Sequence, residues 1–229
     1  MESRVENIKE SKKKDDKKEY ETIGWVKVQG TNIDFAVLGD HDVSDEIPVN
    51  LKNFAYNLEN KEKLLNKVNI MGHNILNLSS TPKVNSKNST RFEDLMSFVY
   101  YDFAKKNKYI QYTVDGKDYL YKIYAVDFVE SYTINIYPKG NLHDFELNQY
   151  IKDYKENSLY NYNIDVNEND KLISLMTCTR FYGDGYYSFV VNGRLVRDNE
   201  KIDNYKVEES KKYKEVKKIL KGDEKNDEV

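Results

Sequence analysis

Alternation of hydrophobic and polar residues predicts a chain made mainly of short β-strands. Successive side chains of a strand point to opposite faces, so alternation marks strands with one buried face. The segments with this pattern lie at residues 23–28, 33–38, 68–74, 109–129, 132–137 and 171–191. Turn residues separate them, and the Asp115-Gly116 pair predicts a hairpin within residues 109–129. Roughly seven or eight strands with few helices favour a closed barrel or a sandwich.

Two segments between the strands have helical rather than alternating spacing. They are residues 91–107 and residues 144–160. In the second segment Leu147, Ile151 and Tyr154 fall on one face of a helix with about 3.6 residues per turn. We therefore expect a mainly β fold with helices inserted between its strands.

The charged ends divide the chain into three parts. Residues 1–20 are almost entirely polar or charged, and we expect a helix there. Residues 21–197 carry the strand and helix patterns and are expected to form one folded domain. Residues 198–229 are charged and lack a strong apolar stripe, which predicts a solvated helix followed by a tail.

Composition argues against several classes of protein, among them nucleic-acid-binding, disulfide-linked and zinc-binding proteins. The 229 residues are 33% charged with a formal net charge of −3, which does not predict a nucleic-acid partner. One cysteine excludes an internal disulfide, and with three histidines no Cys/His cluster has metal-ligand spacing, so we expect no structural zinc site. No apolar run approaches the roughly 20 residues that cross a bilayer, and the N-terminus has no signal-peptide core. We expect a cytosolic protein or an N-terminal anchor outside this sequence.

The single cysteine, Cys178, ends the apolar run LISLMTC just before a Gly-Asp-Gly turn. A lone cysteine at such a place is commonly inert core, but it is a nucleophile if a proton acceptor lies beside it. His41 lies in a polar loop and His143 precedes a helix, where solvation or capping accounts for them. His73 follows Gly72 at the end of an apolar strand, so a closed sheet can bring it next to Cys178.

Three ordered motifs resemble those of the class B sortases, a family of cysteine transpeptidases. SLMTCT, at residues 174–179, resembles the T-L-x-T-C strand, with Ser174 in the first Thr position. IMGHN, at residues 70–74, resembles the Y-G-H-N stretch of the catalytic histidine. Residues 23–37 resemble the block I-G-W-I-x-I-x-G-T-x-I-D-Y-P-V, with Ala36 at the proline position. The resemblance covers about residues 20–197.

This resemblance implies an eight-stranded sortase-type β-barrel in which Cys178 is the nucleophile and His73 its proton partner. Enzymes of this family cleave a C-terminal sorting motif of the Asn-Pro-x-Thr-x type after Thr, hold the Thr as a thioester, and transfer it to a peptidoglycan amine. The resemblance therefore implies no metal and no organic cofactor. The implied partners are a surface protein with such a motif and a peptidoglycan precursor or cross-bridge amine. The implied location is the outer face of a Gram-positive membrane, and we expect a monomer.

One position departs from the family pattern. The family has an arginine at the start of the strand after the cysteine strand, where it supports thioester formation, but this chain reads SFVV with Ser188 at that position. If the turn at residues 183–185 closes a tight hairpin, Arg180 faces Ser188 and shares the face of Cys178, so we expect Arg180 to supply the missing guanidinium. Arg194 is a second candidate, farther along the strand.

Three alternatives stay open. A catalytically weak sortase-fold protein would bind a sorting peptide or wall component without turnover. A cysteine hydrolase would use the same Cys178 and His73 but transfer the acyl group to water. A tyrosine-rich barrel that stacks single-stranded nucleic acid would need a basic groove, which the charge balance does not provide.

The helix around residues 147–154 is also expected to contribute to specificity. It is an insertion just before the cysteine strand. Loops and insertions at the strand ends of a rigid barrel commonly form binding sites. We therefore expect this helix and its flanking loops to form one wall of the peptide groove.

Overall fold

The computed structural model describes residues 3–10, 12–14, 19–39, 51–59, 63–130, 142–183, 187–202 and 204–224. The strands in these ranges are β1 (Lys12–Lys14), β2 (Glu19–Val28), β3 (Asp34–Leu38), β4 (Phe54–Asn57), β5 (Lys67–Met71), β6 (Tyr109–Val114), β7 (Lys117–Glu130), β8 (Tyr160–Tyr162), β9 (Leu172–Thr179), β10 (Tyr187–Leu195) and β11 (Val207–Glu209). The helices are α1 (Val5–Glu10), a 3-10 helix (Phe92–Val99), α2 (Tyr101–Lys106), α3 (Asp144–Asn157) and α4 (Tyr213–Glu224).

Eight of these strands form a closed barrel, so the predicted mainly β barrel is confirmed. Their hydrogen-bonded order is β2-β3-β4-β5-β9-β10-β7-β6, and β6 pairs again with β2. Closure leaves no long unpaired strand edge, which is how barrels avoid edge-to-edge association. Within the barrel, β3 is parallel to β4 and β5 is parallel to β9, whereas the other neighbours are antiparallel.

Alternation along the strands separates the barrel interior from an outer face that α3 covers. Along β9, Ile173 and Leu175 belong to the main core, whereas Leu172 and Met176 belong to a second apolar cluster under α3. The α3 residues in this second cluster are Leu147, Tyr150, Ile151 and Tyr154. The predicted apolar face of this helix is therefore confirmed, and α3 lies against the strand that carries Cys178.

Two further predictions, a hairpin and a helix, can be compared with the structure. The hairpin of residues 109–129 is β6 and β7, joined by Asp115 and Gly116 with φ of 53° and 66°. Two successive residues with positive φ are typical of the hairpin turn that Asp-Gly favours. The predicted helix of residues 91–107 is divided into the 3-10 helix and α2. The predicted strand at residues 132–137 lies outside the described residues.

Both ends of the chain carry more structure than the sequence predicts. The N-terminal helix is α1, and strand β1 follows it and pairs with β2. Near the C-terminus β11 pairs with β8, and α4 buries Tyr213, Val216 and Leu220 in the main core. The predicted lack of an apolar stripe was wrong, because these three residues recur at helical spacing among many charged ones. None of the helices in the described ranges combines the length and hydropathy needed to cross a membrane.

Candidate active site

The parallel pair β5 and β9 places His73 beside Cys178. The paired residues of this ladder run up to Met71 and Met176. One residue farther, the amide of Gly72 donates to the carbonyl of Met176 at 3.1 Å, so the register continues beyond the end of β5. His73 and Cys178 are each two residues past the last pair, and neighbouring strands lie about 4.8 Å apart. The ladder thus carries the backbones of His73 and Cys178, the two residues that the sequence selects, to neighbouring positions.

Alternation along β5 and β9 assigns the positions of Cys178 and His73 to the outer face of the barrel. Cys178 shares a strand face with Met176, and His73 shares one with Met71, and both methionines belong to the apolar cluster under α3. Cys178 is exposed, and His73 is half-buried. A substrate can therefore reach the sulfur from solvent without entering the barrel core.

Two backbone contacts fix the segment that carries the histidine. The amide of Phe92 donates to the carbonyl of His73 at 2.9 Å. The hydroxyl of Thr177 donates to the carbonyl of Gly72 at 2.7 Å. A Cβ on Gly72 would lie 2.4 Å from Cγ of Phe92, so this close approach requires glycine. The histidine backbone is therefore held between the 3-10 helix and β9.

Two more contacts join the loop after His73 to the end of β9. Nδ2 of Asn74 donates to the carbonyl of Cys178 at 3.0 Å. The amide of Arg180 donates to the carbonyl of Leu78 at 2.9 Å. The sequence analysis missed Asn74, although it directly follows the histidine in the IMGHN motif, because its partner is a backbone carbonyl far away in sequence.

Burial raises the pKa of Cys178 above its ordinary value, although part of the side chain reaches solvent. Surrounding protein atoms disfavour the charged thiolate, because they replace water that would solvate it. At neutral pH the thiol of the free protein is therefore mainly protonated. A nucleophilic Cys178 would therefore need a base to remove its proton, and the imidazole of His73, at the neighbouring position just past β5, is a group of that kind.

The hairpin of β9 and β10 differs from the predicted register. Cys178 pairs with Ser188, so Ser188 lies directly beside the cysteine and not opposite Arg180. The prediction was wrong by two residues because it assumed a tight turn at residues 183–185. Instead β9 ends at Thr179, and the chain turns at once, with the amide of Gly183 donating to the carbonyl of Arg180 at 2.9 Å.

The two arginines that the sequence selects lie in different places. Arg180 is exposed and lies two residues past Cys178, where the chain turns. Arg194 pairs with Leu172 at the other end of β10, its side chain is 2% exposed, and it forms an ion pair with Glu200. The structure therefore keeps Arg180 near the cysteine and does not bring Arg194 there.

Of the other two histidines, the structure describes only His143. His143 is exposed and precedes α3, where its backbone amide donates to a carboxylate oxygen of Glu146 at 2.9 Å. This contact is one half of a capping box, which agrees with the capping role considered from the sequence. His41 lies outside the described residues. Among the described ranges, no three His, Cys, Asp or Glu side chains group as a metal site.

A buried polar network attaches α3 to the outer face of the barrel. The hydroxyl of Tyr150 lies 2.6 Å from Oγ of Ser174 and donates to Oδ1 of Asn192 at 2.8 Å. Nζ of Lys67 donates to Oγ of Ser174 at 2.8 Å and to Oδ1 of Asn69 at 2.5 Å. Burial lowers the pKa of Lys67 to about 7. The sequence analysis did not find this network, which fixes the helix beside the cysteine strand.

Comparison with known proteins identifies the family. Residues 26–196 match the Sortase domain family model. The chain is 28% identical over 189 residues to sortase B of Listeria monocytogenes, a match that covers 76% of this chain and 69% of that protein. It is 22% identical over 184 residues to sortase B of Staphylococcus aureus, covering 76% of this chain and 70% of that protein.

Solved structures share the fold. Sortase B of Clostridium perfringens has a TM-score of 0.64 at 23% identity, covering 84% of this chain and 98% of that chain. A sortase B–substrate complex of Staphylococcus aureus has a TM-score of 0.63 at 18% identity, covering 85% of this chain and 84% of that chain. Because the family model matches most of the chain and these relatives are class B enzymes, this protein belongs to the sortase family of cysteine transpeptidases and groups with the class B sortases.

Proposed function

We propose that this protein cleaves a C-terminal cell-wall sorting motif of the Asn-Pro-x-Thr-x type after Thr and transfers the Thr carbonyl to a peptidoglycan amine. The observation that carries the proposal is the placement of His73 beside the exposed Cys178 on the outer face of the barrel. The partners would be a surface protein with that motif and a precursor or cross-bridge amine. The reaction would take place on the outer face of a Gram-positive membrane.

The first half of the reaction forms the thioester. His73 accepts the proton of the Cys178 thiol while the sulfur attacks the Thr carbonyl carbon. The carbon–nitrogen bond to the residue after Thr then breaks, and the imidazolium of His73 gives its proton to the leaving amine. The Thr carbonyl is left bonded to Sγ, and the imidazole is neutral again.

The second half transfers the acyl group. The acceptor amine attacks the thioester carbonyl, and His73 accepts a proton from its nitrogen. The carbon–sulfur bond breaks, and the thiolate of Cys178 recovers a proton from the imidazolium. The products are a new amide and the free enzyme, so no metal or organic cofactor takes part in the balance of atoms.

Arg180 is the proposed source of the positive charge that the family arginine supplies. The developing oxyanion needs a donor aimed at it, and a guanidinium is well suited to this. Ser188 occupies the position beside Cys178 where the family has arginine. Arg180 is exposed, two residues past the cysteine, and its backbone is bonded to the histidine loop at Leu78. The backbone that carries the Arg180 side chain therefore lies close to the sulfur of Cys178.

The helix α3 is the proposed wall of the peptide groove. It packs on the same outer face as Cys178 through the cluster that includes Met176 and Val190. The network around Tyr150 and Ser174 holds it there. A peptide that lies over the cysteine would therefore meet this helix at its side.

A second candidate is a sortase-fold protein that binds a sorting peptide with little turnover. The presence of Ser188 at the arginine position favours it, because loss of an oxyanion donor commonly slows acyl transfer about 10²–10³-fold. The two candidates differ in catalytic rate and not in peptide binding.

Peptide cleavage with and without an amine tests the proposal. A library of fluorogenic Asn-Pro-x-Thr-x peptides is incubated with the protein, with Cys178→Ala and with His73→Gln, and the products are identified by mass. We expect cleavage after Thr, an amide product when an amine is added, and no cleavage by Cys178→Ala. Peptide binding without cleavage would favour the second candidate, and hydrolysis without amide product would indicate a hydrolase.

A further inference from the structure

We propose that Asn74 is a positioning residue that holds the imidazole of His73 at its working distance from the sulfur of Cys178. This inference rests on the proposed function of the two residues. Asn74 is 6% exposed and directly follows the histidine. Its side chain, and not its backbone, bonds to the peptide group of the nucleophile.

The side chain of Asn74 makes three hydrogen bonds. Nδ2 donates to the carbonyl of Cys178 at 3.0 Å and to the carbonyl of Asn77 at 2.9 Å. Oδ1 accepts from the amide of Asn77 at 2.9 Å. One bond therefore crosses to the cysteine strand, and the other two close the turn that follows the histidine.

The bond to Cys178 continues the β5–β9 ladder after the backbone pairing has ended. The amide of Gly72 donates to the carbonyl of Met176, and the next bond of a parallel ladder would reach the carbonyl of Cys178 from two residues later. β5 ends at Met71, and the side-chain amide of Asn74 supplies that bond instead. The histidine is thus enclosed between two bonds to β9, one on each side of it.

The rest of the loop is anchored elsewhere. Nδ2 of Asn77 donates to the carbonyl of Lys83 at 2.9 Å and to the carbonyl of Glu93, in the 3-10 helix, at 3.1 Å. Oδ1 of Asn77 accepts from the amide of Lys83 at 2.7 Å. Asn77 therefore shapes the loop without contacting the cysteine, which makes it a matched control for Asn74.

Two variants separate positioning from turn formation. Asn74→Asp keeps an oxygen that accepts from the amide of Asn77 but loses the Nδ2 donor, and with it the bonds to the carbonyls of Cys178 and Asn77. Asn74→Ala loses all three bonds without adding charge. If Asn74 only closes the turn, the Asp variant keeps one of the two turn bonds and should retain more activity than the Ala variant, whereas a positioning role predicts that both variants lose catalysis alike.

The direct readout is the coupling between thiol and imidazole, measured without substrate. Timed iodoacetamide titration at pH 7 gives the alkylation rate of Cys178 with His73 and with His73→Gln in place, and the difference between the two log rates is the coupling. We expect this difference to shrink in Asn74→Ala and Asn74→Asp and to persist in Asn77→Ala, although all three lower the melting temperature. With a cleaved peptide, kcat should fall about a hundredfold in both Asn74 variants with little change in KM, since small misplacements of reacting groups have effects of this size.

Two results would overturn the proposal. One is an Asn74→Asp protein with the parent's coupling and kcat, and the other is an equal loss of coupling in Asn77→Ala. Because the titration needs no substrate, a failure of this proposal is distinct from a failure of the proposed function, which would appear as peptide cleavage by Cys178→Ala.

Discussion

Replacing Tyr150 with phenylalanine should loosen the attachment of α3 to the barrel. The change removes a hydroxyl that lies 2.6 Å from Oγ of Ser174 and donates to Oδ1 of Asn192 at 2.8 Å. Each buried hydrogen bond contributes about 0.5–1.5 kcal/mol net, so the two together predict a loss of about 2 kcal/mol in the free energy of unfolding. In the variant, the single proton of the Ser174 hydroxyl is donated to Oδ1 of Asn192 and its oxygen accepts from Lys67, so the two atoms that Tyr150 contacted each keep a partner.

Tyr124 provides the matched control in the same apolar cluster. It is 1% exposed, and among the described residues its hydroxyl has no hydrogen-bond partner. Tyr124→Phe removes a buried polar group that is not compensated, so stability should stay the same or rise by about 1 kcal/mol. Each variant differs from the parent by one oxygen in the same apolar cluster. Tyr150→Phe is predicted to lower the free energy of unfolding, whereas Tyr124→Phe is predicted to leave it unchanged or to raise it.

Thermal and urea unfolding measure the difference. For a chain of this size, a loss of about 2 kcal/mol lowers the melting temperature by about 4–8 °C. Because α3 is the proposed groove wall, Tyr150→Phe should also raise the KM for a sorting peptide, whereas Tyr124→Phe should not. Equal effects of the two substitutions on stability, or a Tyr150→Phe protein as stable as the parent, would refute the role of this network.

Three further predictions concern the charged and reactive groups. Arg180→Ala should slow acyl-enzyme formation about 10²–10³-fold, and adding Ser188→Arg to that variant should restore part of the rate. An Arg180→Ala enzyme as fast as the parent would contradict the proposed role of Arg180 as oxyanion donor. Burial raises the pKa of Cys178, so its rate of iodoacetamide alkylation should rise with pH with a midpoint above that of a free cysteine, and a midpoint below pH 7 would contradict this. Burial lowers the pKa of Lys67 from 10.5 to about 7. Between pH 7 and pH 10.5 the unfolded chain therefore binds more protons at Lys67 than the folded protein does. The Lys67 contribution to the free energy of unfolding then rises with pH, by at most about 1.4 kcal/mol per pH unit. Urea melts from pH 7 to 9 should show this rise in the parent and a smaller one in Lys67→Met, and equal slopes in the two proteins would be evidence against it.

The strands and the inserted helix could be predicted because their signals are local, whereas the choice of an eight-stranded barrel over a sandwich came from the resemblance to the sortases. Alternation marks the strands, and Asp115-Gly116 marks the hairpin of β6 and β7, because the turn needs two residues with positive φ. The apolar face of α3 is readable from Leu147, Ile151 and Tyr154. Each of these features depends on residues that are neighbours along the chain.

The hairpin register could not be obtained in the same way. The sequence offers a Gly-Asp-Gly turn, but β9 ends at Thr179, and Phe181 just beyond it stacks on Phe128 with ring centroids 4.7 Å apart. The chain turns before the glycines, and Gly183 takes a φ of 94°. Ser188 therefore lies beside Cys178. Arg180 does not pair with Ser188 as the sequence predicted, although it lies only two residues past the cysteine.

The polar groups around the site depend on contacts that no local pattern contains. Asn74 was missed because its partner is the carbonyl of Cys178, on another strand. Tyr150 was not among the residues selected for the apolar face of α3, and its hydroxyl contacts could only be found once β9, β10 and α3 had been placed together. Side-chain networks of this kind are specified by register and packing, which sequence periodicity does not determine.

The most direct test of the central claim is to trap the thioester on Cys178. The protein is mixed with a sorting peptide of the Asn-Pro-x-Thr-x type without an amine acceptor, quenched in acid, digested and analysed by mass spectrometry. The account predicts an adduct of the peptide acyl group on the fragment that contains Cys178, removed by hydroxylamine, absent in Cys178→Ala and strongly reduced in His73→Gln. Cleavage of the peptide after Thr by the Cys178→Ala protein, or an adduct on a residue other than Cys178, would contradict it.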